Sequence, residues 1–198
     1  MRIQRPILLL TAITTGYLTM FAATFWVLMP LQQSLSSGFL PFAHVTSLIT
    51  LTHGVRMIVT WLWRWQAVPL LLPGAAIEAL VLQLHFNMPP SDYLLMTTAF
   101  ATNSFIAFEL ARTLGWNEYA CAGKRANWRA LVLVGILASL INGALIAQMQ
   151  LQGADPWLRL WLATNVLIGG TFGLILWLLM LRTLLRVALR SGLLSLWT

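Results

Sequence analysis

The sequence predicts an all-α, polytopic membrane helix bundle, and three observations carry that prediction. Hydrophobic residues make up 59% of the 198-residue chain and charged residues only 9%, against roughly 45–50% and 25% in soluble domains. The apolar residues fall into six runs, each near the roughly 20 residues that a helix needs to cross a hydrocarbon layer about 30 Å thick. The basic residues gather at one set of run ends. A soluble chain of this size has too much surface and too few polar groups to cover it. Within lipid, backbone polar groups must be satisfied internally, which leaves helices or a closed barrel. Runs such as 130–138 do not alternate as barrel strands do, so the spans are helices.

The first span is expected over about residues 6–29, with Pro30 and the polar stretch 32–38 ending it. The second covers about 43–63 and the third about 68–86, stopping at Asn87-Met88-Pro89-Pro90. The fourth covers about 92–114, with Ser91 or Asp92 as N-cap. The fifth runs over about 128–148 and the sixth over about 157–181, followed by a basic C-terminal helix over 182–197. The chain reads as one integral membrane domain. The apolar run after Arg2 and Arg5 exceeds the 7–15 residues of a signal-peptide core, so it is read as a retained first helix.

Six spans fix an orientation. Arg2, Arg5, Arg64, Arg112, Lys124, Arg125, Arg129, Arg182, Arg186 and Arg190 fall on the side of the N-terminus, Arg159 falls on the other side, and Arg56 lies inside a span. The positive-inside rule then places both termini in the cytoplasm. Trp61, Trp63, Trp65, Trp116 and Trp128 belong to the inner aromatic belt, and Trp26, Trp157 and Trp161 to the outer one. A net charge of +7 suggests nucleic acid in a soluble protein. Here the charges mark orientation, so the expected partners are the lipid bilayer and another membrane protein, and no nucleic acid.

Arg56, Glu78 and Glu109 lie at membrane depth, where an ionisable residue is a functional hypothesis by default. Counting residues at about 1.5 Å each puts Arg56 about 10 Å and Glu78 about 15 Å from the inner interface. An Arg56–Glu78 pair between adjacent helices is therefore the first expectation and Arg56–Glu109 the second, with a local Glu109–Arg112 pair also in reach. This cluster, joined by His53 and Asn103, is either a ligand site or a salt bridge that fixes helix register. Asn103, Asn142 and Asn165 lie mid-span, where amides hydrogen-bond across helix interfaces.

Gly135, Ser139 and Gly143 recur every four residues on the fifth span, and Gly169 and Gly173 form a G-x-x-x-G on the sixth. Such residues allow close helix packing. Arg182, Arg186 and Arg190 form one stripe directed at the inner leaflet or a partner. His44 and His85 both fall near outer span ends, yet no metal-ligand spacing occurs, and Cys121 reads as an ordinary reduced thiol. No cofactor and no metal are expected. The chain carries no phosphate loop or nucleophile elbow, and the reading is non-catalytic.

His53-Gly54-Val55-Arg56, Trp63-Arg64-Trp65, Pro69, Pro73-Gly74, Pro89-Pro90 and the run 100–112 with Asn103 resemble the first half of the membrane-associated sensor domain of bacterial signalling proteins. The fifth and sixth spans, with Gly169-Gly170 and Gly173, are similar to its later helices. The chain departs from that pattern at Thr52-His53, where prolines are usual, and after Gly169, where no acid follows. The resemblance implies a stand-alone sensory module that acts through a partner. Two other classes stay open: a small-molecule permease or the substrate-binding component of an importer, and a structural subunit of a larger pigment or respiratory complex.

Overall fold

The computed structural model describes residues 4–35, 49–86, 88–117, 119–120, 127–150 and 156–190. His44, Cys121, Lys124, Arg125, residues 43–48 of the expected second span and residues 191–197 of the expected C-terminal helix lie outside this set. The described chain is helical, with no strand among the described residues: α1 (Gln4–Ala22), a π-helical segment (Ala23–Leu28), α2 (Met29–Leu35), α3 (Leu51–Trp63), a 3-10 turn (Arg64–Gln66), α4 (Ala67–Phe86), α5 (Pro90–Thr113), α6 (Trp128–Gln150) and α7 (Pro156–Arg190). Among the described residues, five helical stretches are long and apolar enough to cross a membrane: Pro6–Ser34, Leu51–Phe86, Pro90–Thr113, Trp128–Gln148 and Arg159–Thr183.

Large apolar side chains face outward all round. Leu8, Trp26, Leu84, Leu94, Leu114 and Trp157 are each more than 60% exposed, whereas Thr52, His53, Arg56, Asn103 and Ser139 are buried. An apolar skin over an interior that also holds polar side chains is compatible with a multi-pass membrane protein.

Helices α1, α4, α5, α6 and α7 follow one another around α3, and α6 with α7 makes the most extensive pairing. Nine of the 13 residues of α3 are buried, which makes this polar helix the central post of the bundle. The stretch Leu51–Phe86 is not one straight rod. Twenty-two residues of continuous helix would hold Arg56 and Glu78 about 33 Å apart, yet their side chains touch at 2.5 Å. The chain reverses at the 3-10 turn, where Arg64 takes φ 54°, a backbone region that a bulky residue occupies only at a cost.

Three boundaries differ from the sequence expectation. Pro30 does not end the first helix, which continues to Leu35. A proline ring clashes with the carbonyl four residues back and lacks a donor. The π-helical segment just before it, with the Met29 N–H bonded to the Thr24 carbonyl, widens that turn and lets the helix pass. Helix α5 starts at Pro90 and not at Asp92, with Pro89 as N-cap and no side-chain cap, because a proline at the first helical position wastes no donor. Helix α3 starts at Leu51, after extended backbone at Thr50 (φ −103°, ψ 93°). The second expected span is thus helical only over 13 described residues, about 20 Å.

The start of α3 lies deep in the bundle. The Thr50 N–H donates to the Gly169 carbonyl at 2.9 Å, and Gly169 is about 20 Å along α7 from Pro156. The Leu51 N–H donates to Thr24 Oγ1 at 3.1 Å. Non-helical backbone at this depth survives only where protein satisfies it, and here α7 and the π-helical segment do so. A side chain at Gly173 would collide with the Thr50 backbone, so the absence of one there admits the strand-like approach to α3.

Candidate functional site

Arg56 is 2% exposed and projects from the central helix toward α1, α4 and α5. Its Nη2 pairs with Glu78 Oε2 at 2.5 Å. Its Nε donates to the Tyr17 hydroxyl at 2.7 Å, and Tyr17 in turn donates to the same Glu78 oxygen in a very short bond. Thr52 Oγ1, one turn before Arg56, reaches Glu78 Oε1 at 3.5 Å. The Phe100 ring lies 4.3 Å from the guanidinium carbon and the Tyr17 ring 5.4 Å from it, close enough for cation–π attraction in a desolvated site.

The sequence positions each member of this triad. Tyr17 lies against α4 at Gly74, where an added Cβ would sit 2.8 Å from the ring. Glu78 is one turn beyond Gly74, so the ring that rests on the glycine delivers its hydroxyl to the carboxylate. A buried carboxylate needs several donors to offset its desolvation, and Glu78 has three.

A cavity of about 100 Å³ opens beside the triad. Arg56, Glu78 and Thr52 form its polar floor, and Phe21, Phe25, Leu82, Met96, Phe100 and Ile146 supply apolar wall. Its lining comes from the second half of the α1–α2 rod, the C-terminal halves of α4 and α6, and the N-terminal halves of α5 and α7. All of these lie at the end of the bundle away from the N-terminus of α1. Thr50, just before α3, and the π-helical Thr24 also line the cavity.

The other expected site residues do not join this cluster. Glu109 lies nine residues beyond Phe100 on α5, about 13 Å along the helix axis. It pairs with Arg112 at 2.5 Å and accepts from the Tyr119 hydroxyl at 2.9 Å. The expected three-residue cluster is therefore two separate sites, because successive turns of α5 face different depths. His53 turns toward α6, where Nε2 lies 3.2 Å from the Gly135 carbonyl and 3.0 Å from Ser139 Oγ. Asn103 donates to Asn142 Oδ1 at 2.8 Å, and Asn142 lines the cavity.

The small residues sit between helices. Gly143 faces the Ala163 backbone, with an added Cβ 2.6 Å from its carbonyl oxygen. Gly135 faces Leu174, and Ser139 faces Gly170. Arg182 lies exposed on α7, whose backbone continues past Arg186 to Arg190. Among the described residues no group of three or more His, Cys, Asp or Glu side chains forms a metal cage.

At the opposite end of the bundle, Tyr119 stacks on Phe108 at 4.9 Å, and the Arg64 guanidinium carbon is 5.4 Å from its ring. Burial, together with the bond to the Glu109 carboxylate, raises the Tyr119 phenol above its ordinary value. Tyr17, Thr24, Thr52 and Tyr119 are the residues that the sequence reading missed. Tyr17, a polar-tipped aromatic in mid-span, is the one with a readable signal, since a buried phenol seeks a partner.

No family model, no curated protein and no solved structure matches the chain.

Proposed function

We propose that this is a non-catalytic, multi-pass bacterial inner-membrane protein that binds a small ligand in the cavity above Arg56 and passes the binding event to a membrane partner, as a sensor-like or accessory subunit. The observation that carries the reading is the coincidence of the recessed start of α3, an apolar-walled cavity and a buried Arg56–Glu78–Tyr17 floor. A purely structural salt bridge has no use for open space beside it.

The chemistry of the floor defines the ligand class. Nε and Nη2 of Arg56 are engaged by Tyr17 and Glu78, and among the described residues the Nη1 donors are the ones suited to a ligand carboxylate or carbonyl. The walls suit a short apolar tail, and about 100 Å³ admits a small molecule and no large cofactor. Six spans with both termini in the cytoplasm belong to this reading: the Arg64 reversal supports counting α3 and α4 as separate passes, and that count puts the basic residues on one face. Likeness to the bacterial membrane-associated sensor domain belongs to the same proposal.

The test uses purified protein in nanodiscs titrated with a straight-chain carboxylate series from butyrate to octanoate. Saturable thermal stabilisation at one chain length supports the reading, and at one hundred times Kd it amounts to about 2.7 kcal/mol. Val166→Phe fills the cavity without touching the triad and should abolish the effect. Stabilisation that is absent from the whole series, or that survives in Val166→Phe, contradicts it.

A permease is the second reading, favoured by one observation: a helix that begins at mid-bundle beside a polar site is an arrangement common in secondary transporters. Carboxylate uptake into proteoliposomes that depends on Glu78 would favour it over a sensor.

A further inference from the structure

We propose that Asn142 is a second anchor in the cavity beside Arg56, so that the ligand is a short keto acid, held by its carboxylate at Arg56 and by the keto oxygen of its chain at Asn142. This inference rests on the reading of the cavity as a carboxylate site and narrows the ligand class.

Placement is the first argument. The polar floor comes from α3 and α4, through Thr52, Arg56 and Glu78. Asn142 lines the same cavity from α6, which packs against α5 and α7, and it is the one amide among the described lining residues. A few placed polar groups in a mostly apolar pocket fix the orientation and identity of a small ligand. The two anchors are near one another. The Phe100 ring lies 4.3 Å from the Arg56 guanidinium carbon, and Asn103, which holds Asn142, follows Phe100 by three residues, about 4.5 Å along α5.

Orientation is the second argument. Asn103 Nδ2 donates to Asn142 Oδ1 at 2.8 Å. With its oxygen so engaged, the Asn142 amide offers N–H donors, and among the described residues these are the donors on α6 suited to an acceptor in the cavity. A keto oxygen accepts only and matches them. An ammonium group would meet donors with donors, and a hydroxyl would bring a proton that the apolar wall cannot accept.

The third argument is that the amide pair makes a poor clamp. Two amides that only join helices can bond at both ends, yet the Asn103 carbonyl oxygen is buried with no donor among the described residues. Buried polar atoms are nearly always paired. Asn103 thus fixes the Asn142 amide in one orientation while its own oxygen goes unmatched, which is the work of a positioning residue.

The test is isothermal titration of the full-length protein in nanodiscs with two length-matched pairs, pentanoate against 4-oxopentanoate and hexanoate against 5-oxohexanoate. In a wall without a donor, the keto oxygen loses its hydration uncompensated, and the keto acid binds more weakly than its plain counterpart. With Asn142 donating, one keto acid should bind about five- to tenfold more tightly than its counterpart. Asn142→Leu should reverse that preference. Asn103→Leu combined with Asn142→Leu removes both ends of the bond and reads the same reversal with no partner stranded. Reversal in either variant supports the proposal. Plain acids that bind with no keto preference overturn it and leave the carboxylate reading of the cavity intact. A keto preference that survives in both variants also overturns it, and binding of neither acid overturns the two readings together.

Discussion

Breaking the Arg56–Glu78 pair from one side should be far worse than removing it whole. In Arg56→Met the Glu78 carboxylate stays 5% exposed and keeps only Tyr17 and Thr52 as donors. Leaving one member of a buried pair costs about 3–5 kcal/mol, and the lost Nε bond to Tyr17 lies within that sum. Glu78→Leu strands the guanidinium instead, with a similar cost of about 3–5 kcal/mol. Combining Arg56→Met with Glu78→Leu removes both charges and leaves the Tyr17 hydroxyl without a partner, which costs about 1–3 kcal/mol. Adding Tyr17→Phe removes that last orphan. The double variant should therefore lie several kcal/mol above the sum of the singles, and the triple should approach wild type. Reversible unfolding in mixed micelles, followed by circular dichroism against denaturant fraction, measures each corner of the cycle. Coupling within 0.5 kcal/mol of zero, the usual additivity of distant sites, would refute the buried triad.

Other consequences follow from the packing. Gly143→Ala places a Cβ 2.6 Å from the Ala163 carbonyl oxygen and should destabilise by about 1–3 kcal/mol in the same assay. Gly16→Ala, with nothing within 4 Å, should be neutral or gain about 0.5–1 kcal/mol of helix propensity. The Tyr119 phenol is raised in the folded state, so the stability it contributes is complete below its unfolded pKa of about 10 and falls as pH rises through that value. An alkaline melt should show this loss in wild type and a flatter profile above pH 10 in Tyr119→Phe. Arg64→Gly relieves the positive φ and should raise the melting stability by about 1 kcal/mol.

The helices were legible because apolar runs of about 20 residues, in a chain that is 59% hydrophobic, leave the backbone few other choices. The Arg56–Glu78 contact was legible from depth: both residues count to the same half of the bilayer on neighbouring helices. Glu109 was misplaced in that cluster because its depth differs from that of Arg56 by several turns, which its partner Arg112 already hinted. Pro30 misled because a local breaker rule takes no account of the π-helical turn that absorbs it. The recessed start of α3 depends on Thr24 and Gly169, whose bonds to Leu51 and Thr50 exist only after α1 and α7 have packed, and on Gly173, which leaves room for the Thr50 backbone. Tyr17 carries a readable signal as a phenol in mid-span, but its partner emerges only where Gly74 makes room for its ring.

The most direct measurement is thiol accessibility in intact cells. With the single cysteine removed by Cys121→Ser, Leu82→Cys on the cavity wall and Trp128→Cys at the start of α6 are treated with a membrane-impermeant reagent from the external side. Leu82→Cys should label, and bound carboxylate should slow the reaction, while Trp128→Cys labels only after the membrane is permeabilised. Labelling of Trp128→Cys in intact cells, or a Leu82→Cys thiol that reacts only after permeabilisation, contradicts an externally open ligand cavity above Arg56.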